Sequence, residues 1–429
     1  MLRKLALPLL LSTALCAQAA DLSPTEQRIA AGVAAWQPQA IELLERSARI
    51  NSGTLNLAGV RATGDVFRAE LDKLGFKTAW LDMPKEMGRA GHLVATRTGK
   101  KGKRLLLLGH LDTVFEQSAP GPLWQRDGDS ARGQGVSDMK GGNVVVIAAL
   151  RALQQAGALD DTTITVLFTG DEEEAGYPRD LSRRDMVELA RRSDIALSFE
   201  AAIGKDGQPM ATVGRRATAS FDLDVTARQG HSMSVFGTNG FGAVYEAARI
   251  LDGFRREVVE PGLTFNPGVI LGGTEVAFDE ANATGTVAGK TNVIANRVTV
   301  RADLRYLDYA QRDRAQARMR AIVAQHLLGA EARITFRDSY PPMAVTPGNL
   351  NLLARYSQAS QDAGLGAVGM VPPESRGAGD IQFVAPLIDS LDGLGASGSG
   401  AHGPDERVDL KSLESSAIRA ALLIYRLTR

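Results

Sequence analysis

Residues 105–114 read LLLLGHLDTV and residues 133–142 read GQGVSDMKGG, and these two segments decide the expected fold. The four leucines at 105–108 predict a strand that is buried on both faces, which is typical of the centre of a parallel sheet. His110 and Asp112 follow at the end of this strand. Because ligands and catalytic groups collect at the carboxyl ends of strands in open α/β sheets, His110 is a candidate metal ligand.

The chain on either side of this strand alternates between predicted strands and predicted helices. Apolar, β-branched runs at 162–168 and 195–199 predict two more buried strands. Helical spacing of apolar residues predicts helices at 24–50, 140–156 and 180–192. This alternation favours an α/β fold with a doubly wound, mostly parallel sheet.

The pattern changes near residue 214. Segments 218–226 and 296–304 alternate between polar and apolar residues, as expected of strands with one face in water. Helices are predicted at 241–256 and 310–328, so an α+β domain inserted into the first domain is the simplest interpretation. The expected organisation is a signal peptide at 1–20, a catalytic domain at 21–214 plus 339–429, and an inserted dimerisation domain at 215–338.

Length and charge restrict the classes of partner. The chain has 429 residues, which is enough for two domains, with 49 basic and 49 acidic residues and a net charge of zero. No long run of one charge occurs, which argues against nucleic acid or an anionic membrane surface as a partner. A small molecule or a short peptide is the expected ligand.

The first twenty residues, MLRKLALPLLLSTALCAQAA, have the layout of a secretory signal peptide. Arg3 and Lys4 precede an apolar run that is too short to span a bilayer, and small residues follow it. We therefore expect export across the inner membrane to the periplasm or beyond, with no membrane association of the mature form. Cys16, the one cysteine, lies in this segment, so the mature chain would contain no disulfide.

Acidic residues follow the other predicted strands. Asp138 lies in GVSDMKGG, Glu172 and Glu173 lie in FTGDEEEAG, and Glu200 ends LSFE. If the fold brings these carboxylates together, they repel one another, and a divalent cation is the natural remedy. Taken singly, each residue has an ordinary alternative, such as a solvated acidic face for the glutamate run.

Two further residues belong to this hypothesis. His402 lies in GSGAHGPDE, where the flanking glycines allow the backbone to approach a metal closely, although a surface-loop histidine is the alternative. Asp112 is placed to orient the imidazole of His110, as carboxylates behind metal-bound histidines commonly do.

These motifs together resemble a known enzyme family. The chain looks like the di-zinc hydrolases that include glutamate carboxypeptidase, acetylornithine deacetylase, succinyl-diaminopimelate desuccinylase and aminoacylase. The similarity covers nearly the whole mature chain, and the motifs occur in the order of the family. The matching pieces are GHLDTV, GVSDMKGG, TGDEEEAG, LSFE, RQGHSMSV, NVIANRVTVRADLRY and AHGPDE.

The resemblance implies a site with two Zn²⁺ ions, for which Co²⁺ or Mn²⁺ can substitute. One ion would be held by His110 and Glu200, and the other by Glu173 and His402. Asp138 would bridge the two ions. The chemistry implied is hydrolysis of an amide bond.

The resemblance also implies roles for residues that do not bind metal. Glu172 would be the general base, and Asp112 would support the site as described above. His231 would reach the active site of a partner subunit and stabilise the oxyanion, which implies a homodimer; a histidine that only caps its loop is the alternative. Asn292 and Arg305 would bind a substrate carboxylate, although Arg305 is equally compatible with the wet face of a strand.

The expected function is that of an exported, zinc-dependent metallopeptidase or amidohydrolase acting on a small peptide or an N-acyl amino acid. It would act as a carboxypeptidase or as an N-acyl-amino-acid amidohydrolase. A dipeptidase or aminopeptidase of the same family, which would recognise a free amine, is the enzymatic alternative. The non-enzymatic alternative is a non-catalytic periplasmic binder of amino acids or metal. Glu172 argues against it, because a binding protein needs no spare carboxylate beside a metal ligand.

Two positions depart from the family pattern. Tyr340 stands before Pro341 where glutamate-releasing members have an arginine, which argues against a preference for glutamate, because a γ-carboxylate would lose one cationic partner. The family's GGG-type turn is replaced by RGAGD, whose Arg376 would return a positive charge if it faces the substrate.

Overall fold

The structure is a computed structural model that describes residues 22–205, 207–280 and 282–429. The segment predicted to be a signal peptide, residues 1–20, lies outside these described residues. None of the helices in the described ranges combines the length and the hydropathy that crossing a membrane requires.

The described ranges contain both α-helices and β-strands. The helices are α1 (Pro24–Ala35), α2 (Gln37–Ala48), α3 (Leu57–Lys73), α4 (Gly141–Gln155), α5 (Arg179–Ser182), α6 (Arg184–Ala190), α7 (Gly242–Glu257), α8 (Tyr309–Val323), α9 (Pro347–Asp362) and α10 (Leu410–Leu427). The strands are β1 (Lys77–Leu81), β2 (His92–Arg97), β3 (Lys101–His110), β4 (Gln125–Asp127), β5 (Ser130–Arg132), β6 (Thr162–Thr169), β7 (Ile195–Ser198), β8 (Ile203–Lys205), β9 (Gln208–Ala211), β10 (Ala217–Ala227), β11 (Thr264–Gly273), β12 (Glu275–Asp279), β13 (Thr284–Ala288), β14 (Arg297–Tyr306), β15 (Ala330–Tyr340), β16 (Gly369–Met370), β17 (Asp389–Leu391), β18 (Gly398–Ser399) and β19 (Arg407–Asp409).

The main sheet has the strand order β1-β2-β6-β3-β7-β17. Strand β3 pairs in parallel with both β6 and β7, and β17 extends the parallel part beyond β7. Strand β2 runs antiparallel to β1 and β6. The prediction of an α/β fold with a mostly parallel sheet is confirmed.

Strand β3 is buried on both faces, as its leucines predict. Leu105 and Leu107 lie in one apolar cluster with residues of α4 and α10. Leu106 and Leu108 lie in another, which includes residues of α6. Because successive side chains of a strand point to opposite faces, the sheet separates these two clusters.

Two predicted helices are each divided in the structure. The helix predicted at 24–50 is interrupted at Trp36 (φ −95°, ψ 0°), where α1 ends and α2 begins. Pro38 fits in the first turn of α2, but in a continuous helix its ring would clash with the carbonyl of Ala34. The helix predicted at 180–192 breaks at Arg183 (φ −98°, ψ 2°), whose side chain turns into the protein interior.

The inserted α+β domain is built on the antiparallel sheet β11-β14-β10-β15. Helices α7 and α8 cover one face of the sheet, and Phe221, Phe254 and Met319 lie in the core between them. Sequence patterns did not predict β11, since Pro267 interrupts it and the pairing with β14 shifts register between Pro267 and Val269.

The chain enters and leaves the insert through two adjacent segments. Arg215 and Met343 exchange backbone hydrogen bonds of 3.0 and 3.1 Å. The two connections therefore run side by side, and the insert leaves the domain of the main sheet at one place.

A smaller sheet brings the C-terminal part of the chain to the end of β3. Its strand order is β18-β19-β5-β4, with Arg407 of β19 opposite Arg132 of β5. The hairpin loop between β18 and β19 contains His402, and the chain after β5 contains Asp138. This pairing brings two distant parts of the sequence together.

Candidate active site

The end of the parallel sheet carries His110, Glu172, Glu173 and Glu200. His110 is the last residue of β3 and lies opposite Thr169, the last residue of β6. Glu172 and Glu173 follow β6, and Glu200 follows β7. Because β6, β3 and β7 are adjacent and parallel, their carboxyl ends meet at one edge.

Asp138 reaches the same place by another route. The expectation that it follows a strand of the main sheet is wrong, because it lies in an irregular turn, Val136–Lys140, directly before α4. The carboxylate of Glu406 holds this turn, accepting hydrogen bonds from the amides of Gly135 (2.9 Å), Ser137 (2.7 Å) and Asp138 (2.9 Å).

The two carboxylate oxygens of Asp138 face two different histidines. Oδ1 lies 3.2 Å from Nε2 of His110, and Oδ2 lies 3.2 Å from Nε2 of His402. The same nitrogen of His110 lies 3.6 Å from Oε1 of Glu200, and that of His402 lies 3.2 Å from Oε2 of Glu173. Asp138 thus separates two pairs, each made of a histidine and a glutamate.

This arrangement fits a pair of metal ions. Two ligands placed around a tetrahedral Zn²⁺ at about 2.1 Å are about 3.4 Å apart, close to the distances observed here. The second oxygen of Glu173, Oε1, is buried without a hydrogen-bond partner. Imidazole and carboxylate ligands are those that zinc takes, and buried carboxylates normally have a partner, so the residues present fit the group.

Glu172 also lies within reach of a metal. Ligand atoms of His110, Glu172 and Glu200 lie within 4.8 Å of one another, as do those of His110, Asp138 and Glu173. These distances place Glu172 among the possible metal ligands.

Asp112 supports the site from behind. His110 Nδ1 lies 3.0 Å from the backbone carbonyl of Asp112 and 3.4 Å from its carboxylate. The carboxylate accepts hydrogen bonds from the hydroxyl of Thr54 (2.7 Å) and from the amides of Glu172 (3.0 Å) and Glu173 (3.1 Å). One buried acid thus orients the imidazole and also the loop that carries both glutamates.

The charges of the cluster perturb one another. Burial raises the pKa of Glu172 well above its ordinary value; His110 opposes this shift and Glu200 adds to it. Burial raises the pKa of Glu200 to about 8, with a further contribution from Asp138. For Asp138, burial is outweighed by hydrogen bonds to His110 and His402, so its pKa is lowered. The hydrogen bond to Asp138 is the largest cause that raises the pKa of His402 to about 10. A divalent cation bound among these carboxylates would neutralise the repulsion that contributes to the raised pKa of Glu172 and of Glu200.

A second set of buried charges lies behind Glu172, and sequence reasoning missed it. The guanidinium of Arg183 lies 2.7 Å from Asp171 and 2.7 Å from Asp380. Asp380 also accepts a 2.7 Å hydrogen bond from Thr169 at the end of β6. The motifs GDEEE and RGAGD contain the two acids, but Arg183 lies in a run of surface-like charges that gave no signal.

His231 and Asn292 lie elsewhere in the insert. His231 follows β10, is exposed and forms an isolated bridge with Val293, and the amide of Ser232 donates to the carbonyl of Asn292 (3.0 Å). The structure therefore brings His231 and Asn292 together. Strand β10 leads from Thr218 to Ala227, the end nearer to His231 and Asn292. At 3.3 Å per residue, these two positions are about 30 Å apart.

The other end of β10 lies beside the cluster. Thr218 pairs with Tyr340, whose hydroxyl lies 3.5 Å from the backbone carbonyl of Glu172. Arg305 is also opposite Thr218, and its Nε donates to Asp303 (2.9 Å). Within one chain, Arg305 and Asn292 therefore lie near opposite ends of β10. His231 lies at the end with Asn292 and does not join the metal-ligand cluster of its own chain.

Comparison with known proteins gives matches over most of the chain. Residues 106–426 match the model of the family described as Peptidase family M20/M25/M40. Carboxypeptidase G2 of Pseudomonas sp. (strain RS-16) is 29% identical over 398 residues, covering 90% of this chain and 89% of that protein. Succinyl-diaminopimelate desuccinylase of Xylella fastidiosa (strain 9a5c) is 29% identical over 373 residues, covering 84% and 91%.

A solved structure has the same fold. The Bacillus subtilis YXEP protein, described as a dinuclear metal binding peptidase from the M20 family, superimposes with a TM-score of 0.63 at 15% sequence identity. The superposition covers 92% of this chain and 99% of that chain.

Proposed function

The chain belongs to the peptidase family M20/M25/M40 and is a metal-dependent hydrolase, and from this premise we propose that it is an exported di-zinc enzyme that cleaves amide bonds. It releases an amino acid with a free carboxylate from a peptide or from an N-acyl linkage. The observation that carries the proposal is the position of Asp138 between His110 and His402, with Glu172 beside them.

The proposed ligand sets follow the two halves of the cluster. His110 and Glu200 would hold one Zn²⁺, Glu173 and His402 would hold the other, and Asp138 would be shared between them. When bound, the ions supply Lewis acidity toward a carbonyl oxygen and make hydroxide available near neutral pH.

Glu172 is the proposed general base. In the described part of the chain, its carboxylate has neither a hydrogen bond nor an ion pair, so it is free to accept and return a proton. Burial raises its pKa above the ordinary value, and a positioned carboxylate within reach of the reacting water is a suitable general base. Glu172 would accept a proton from the attacking water and deliver it to the leaving amine.

The proposed enzyme is a homodimer with shared sites. His231 and Asn292 are together but lie one strand length from the cluster of their own chain, about 30 Å along β10. Two copies related by a twofold axis through residues 215–338 would exchange these residues, so that each site receives a donor for the developing oxyanion. In this proposal, residues 21–214 and 339–429 form the catalytic domain.

The signal-peptide sequence at residues 1–20 supports the proposal of export to the periplasm or beyond. Fractionation of cells that express the full chain checks this point. The mature protein is expected outside the cytoplasm, with a mass that corresponds to loss of this segment.

A substrate panel tests the proposed reaction. It contains N-acyl amino acids and dipeptides, each with a free or amidated C-terminus and a free or blocked N-terminus. Hydrolysis that needs the free carboxylate but tolerates a blocked amine is expected. A strict need for a free amine would identify a dipeptidase or aminopeptidase instead, and binding without turnover of any compound would identify a binder.

A further inference from the structure

Arg376 lies in a loop that is firmly held next to the metal-ligand cluster. The loop Arg376–Asp380 reads RGAGD. Arg215 donates from Nη1 to the backbone carbonyls of Gly377 (2.7 Å) and Ala378 (3.0 Å). Asp380, at the end of the loop, pairs with Arg183. Both ends of the segment are therefore fixed.

The guanidinium of Arg376 has no partner. Across residues 22–205, 207–280 and 282–429, no carboxylate lies within ion-pair distance of it, and its Nε is buried without a hydrogen bond. The two neighbouring buried arginines differ in this respect, since Arg183 pairs with two aspartates and Arg215 pairs with Asp392 at 2.6 Å. An unpaired guanidinium in a largely buried position is costly, which is expected where a ligand completes the pairing.

The loop that carries Arg376 lies at the carboxyl end of the main sheet, because Asp380 accepts a 2.7 Å hydrogen bond from Thr169, which lies opposite His110. Burial lowers the pKa of Arg376, Arg215 lowers it further, and Asp392, Glu200 and Asp138 oppose this shift. Glu200 and Asp138 belong to the metal-ligand cluster, yet neither forms an ion pair with Arg376. The position of the loop and the absence of an ion pair with either acid leave the guanidinium free to contact another anion beside the cluster.

We propose that Arg376 binds the free carboxylate of the amino acid that the enzyme releases. This inference rests on the proposed function and adds the residue that selects the substrate class. A guanidinium presents two parallel N–H donors that match a carboxylate, which makes arginine suited to this contact. The other candidate for this role, Arg305, already donates to Asp303 in this chain, and Tyr340 offers no positive charge.

A purely structural role for Arg376 is the competing explanation. If Arg376 only balanced the negative charge of the cluster, its loss would weaken metal binding and would affect all ligands equally. If it binds the substrate carboxylate, its loss would affect only ligands that carry that carboxylate. The two roles therefore differ in a measurable ratio.

The test measures binding without turnover. Metal-loaded Glu172→Ala protein is titrated by calorimetry with N-acetyl-L-alanine and with its C-terminal amide. The acid is expected to bind more tightly than the amide by about 10- to 100-fold, as charged hydrogen bonds are typically worth.

Adding Arg376→Gln should remove this preference and leave the affinity for the amide and the metal content unchanged. Arg376→Lys should recover only part of the preference, because it keeps the charge but loses the two-pronged contact. Arg184→Gln, which changes an exposed arginine paired with Asp185, is the matched control.

If the Arg376→Gln protein still prefers the acid, the inference is overturned. It is also overturned if the affinities for the acid and the amide fall equally and the metal content falls with them. No preference in the Glu172→Ala parent would also overturn it. The substrate panel tests the proposed function separately with wild-type protein. Arg376-dependent binding of the acid without any turnover would reject the proposed function and leave Arg376 as the carboxylate-binding residue.

Discussion

The carboxylate of Glu406 accepts a 2.9 Å hydrogen bond from the backbone amide of Asp138, across a sequence separation of 268 residues. Glu406 lies on the same hairpin loop as His402, and the side chains of His402 and Asp138 face each other at 3.2 Å. The loop that carries one proposed ligand thus also positions the bridging one. Burial raises the pKa of Glu406 to about 7, although three backbone hydrogen bonds oppose this shift.

Replacing Glu406 should weaken metal binding without removing any ligand. Glu406→Ala leaves the amides of Gly135, Ser137 and Asp138 unpaired, so the turn that holds Asp138 loses its anchor. The expected loss of metal affinity is about 10- to 100-fold, as for other residues that orient metal ligands. Competition with a chelator of known affinity measures it. Asp405→Asn, which changes an exposed residue of the same loop, should leave the affinity unchanged; equal effects of the two substitutions would contradict the prediction.

Glu172→Ala should retain both metals and lose turnover. The expected decrease in kcat is about 10²- to 10⁴-fold, the usual contribution of a general base. Elemental analysis and steady-state kinetics on the same preparation give the two quantities. Glu174→Gln is the control, because Glu174 is exposed and pairs with Arg89 outside the cluster. Loss of metal together with activity would show that Glu172 is a ligand.

Removal of metal should abolish activity and lower stability. Chelator followed by dialysis is expected to give inactive protein that zinc or cobalt reactivates. Saturation with a ligand at about 100 to 1,000 times its Kd stabilises the folded state by about 2.7 to 4.1 kcal/mol, so thermal unfolding should move to lower temperature after removal. Full activity in protein shown by elemental analysis to be free of metal would rule out the proposed mechanism.

His231→Ala should bind metal normally but turn over about 10²- to 10³-fold more slowly, as expected when one oxyanion donor is lost. Because His231 lies far from the cluster of its own chain, mixed dimers provide a sharper test. Refolding His231→Ala with Glu172→Ala in equal amounts should restore about a quarter of wild-type activity, since half of the dimers would contain one complete site. A mixture no more active than its components would argue against shared sites.

Glu246→Gln should destabilise the protein at neutral pH but not in acid. The carboxylate of Glu246 lies on the core side of α7, and burial by itself raises its pKa. Hydrogen bonds from Arg249 and from the amide of Leu327 outweigh burial, so the pKa is lowered below the ordinary value of 4.5. A depressed pKa contributes stability that is complete above the unfolded value and is lost as pH falls through the folded value. The expected cost is about 1–3 kcal/mol at pH 7, from one buried hydrogen-bonded charge. Denaturant unfolding at pH 7 and below pH 4 measures the difference, and the exposed Glu331→Gln serves as control. A deficit that stays constant across this range would contradict the assignment.

Local sequence patterns were sufficient for most elements of the main sheet. The leucines of β3 and the β-branched run of β6 predict strands because burial on both faces requires continuous apolar sequence. His110, Glu173 and Glu200 could be grouped in advance because parallel neighbouring strands end at one edge. The helix breaks at Trp36 and Arg183 could not, since the first follows from the ring of Pro38 and the second from burial of a charged side chain among distant partners.

The sequence by itself determined the α/β class and the family to which the chain belongs, because strand periodicity and contiguous motifs are properties of neighbouring residues. Only the tertiary structure decided how Asp138 reaches the cluster, which acids surround Arg183, and how far His231 lies from its own site. It also decided that Arg376 has no ion-pair partner among the residues that the structure describes. The hydrogen bond between Asp138 and Glu406 joins residues 268 positions apart, and pairing across such a separation depends on how the sheets and loops pack, which no local pattern encodes.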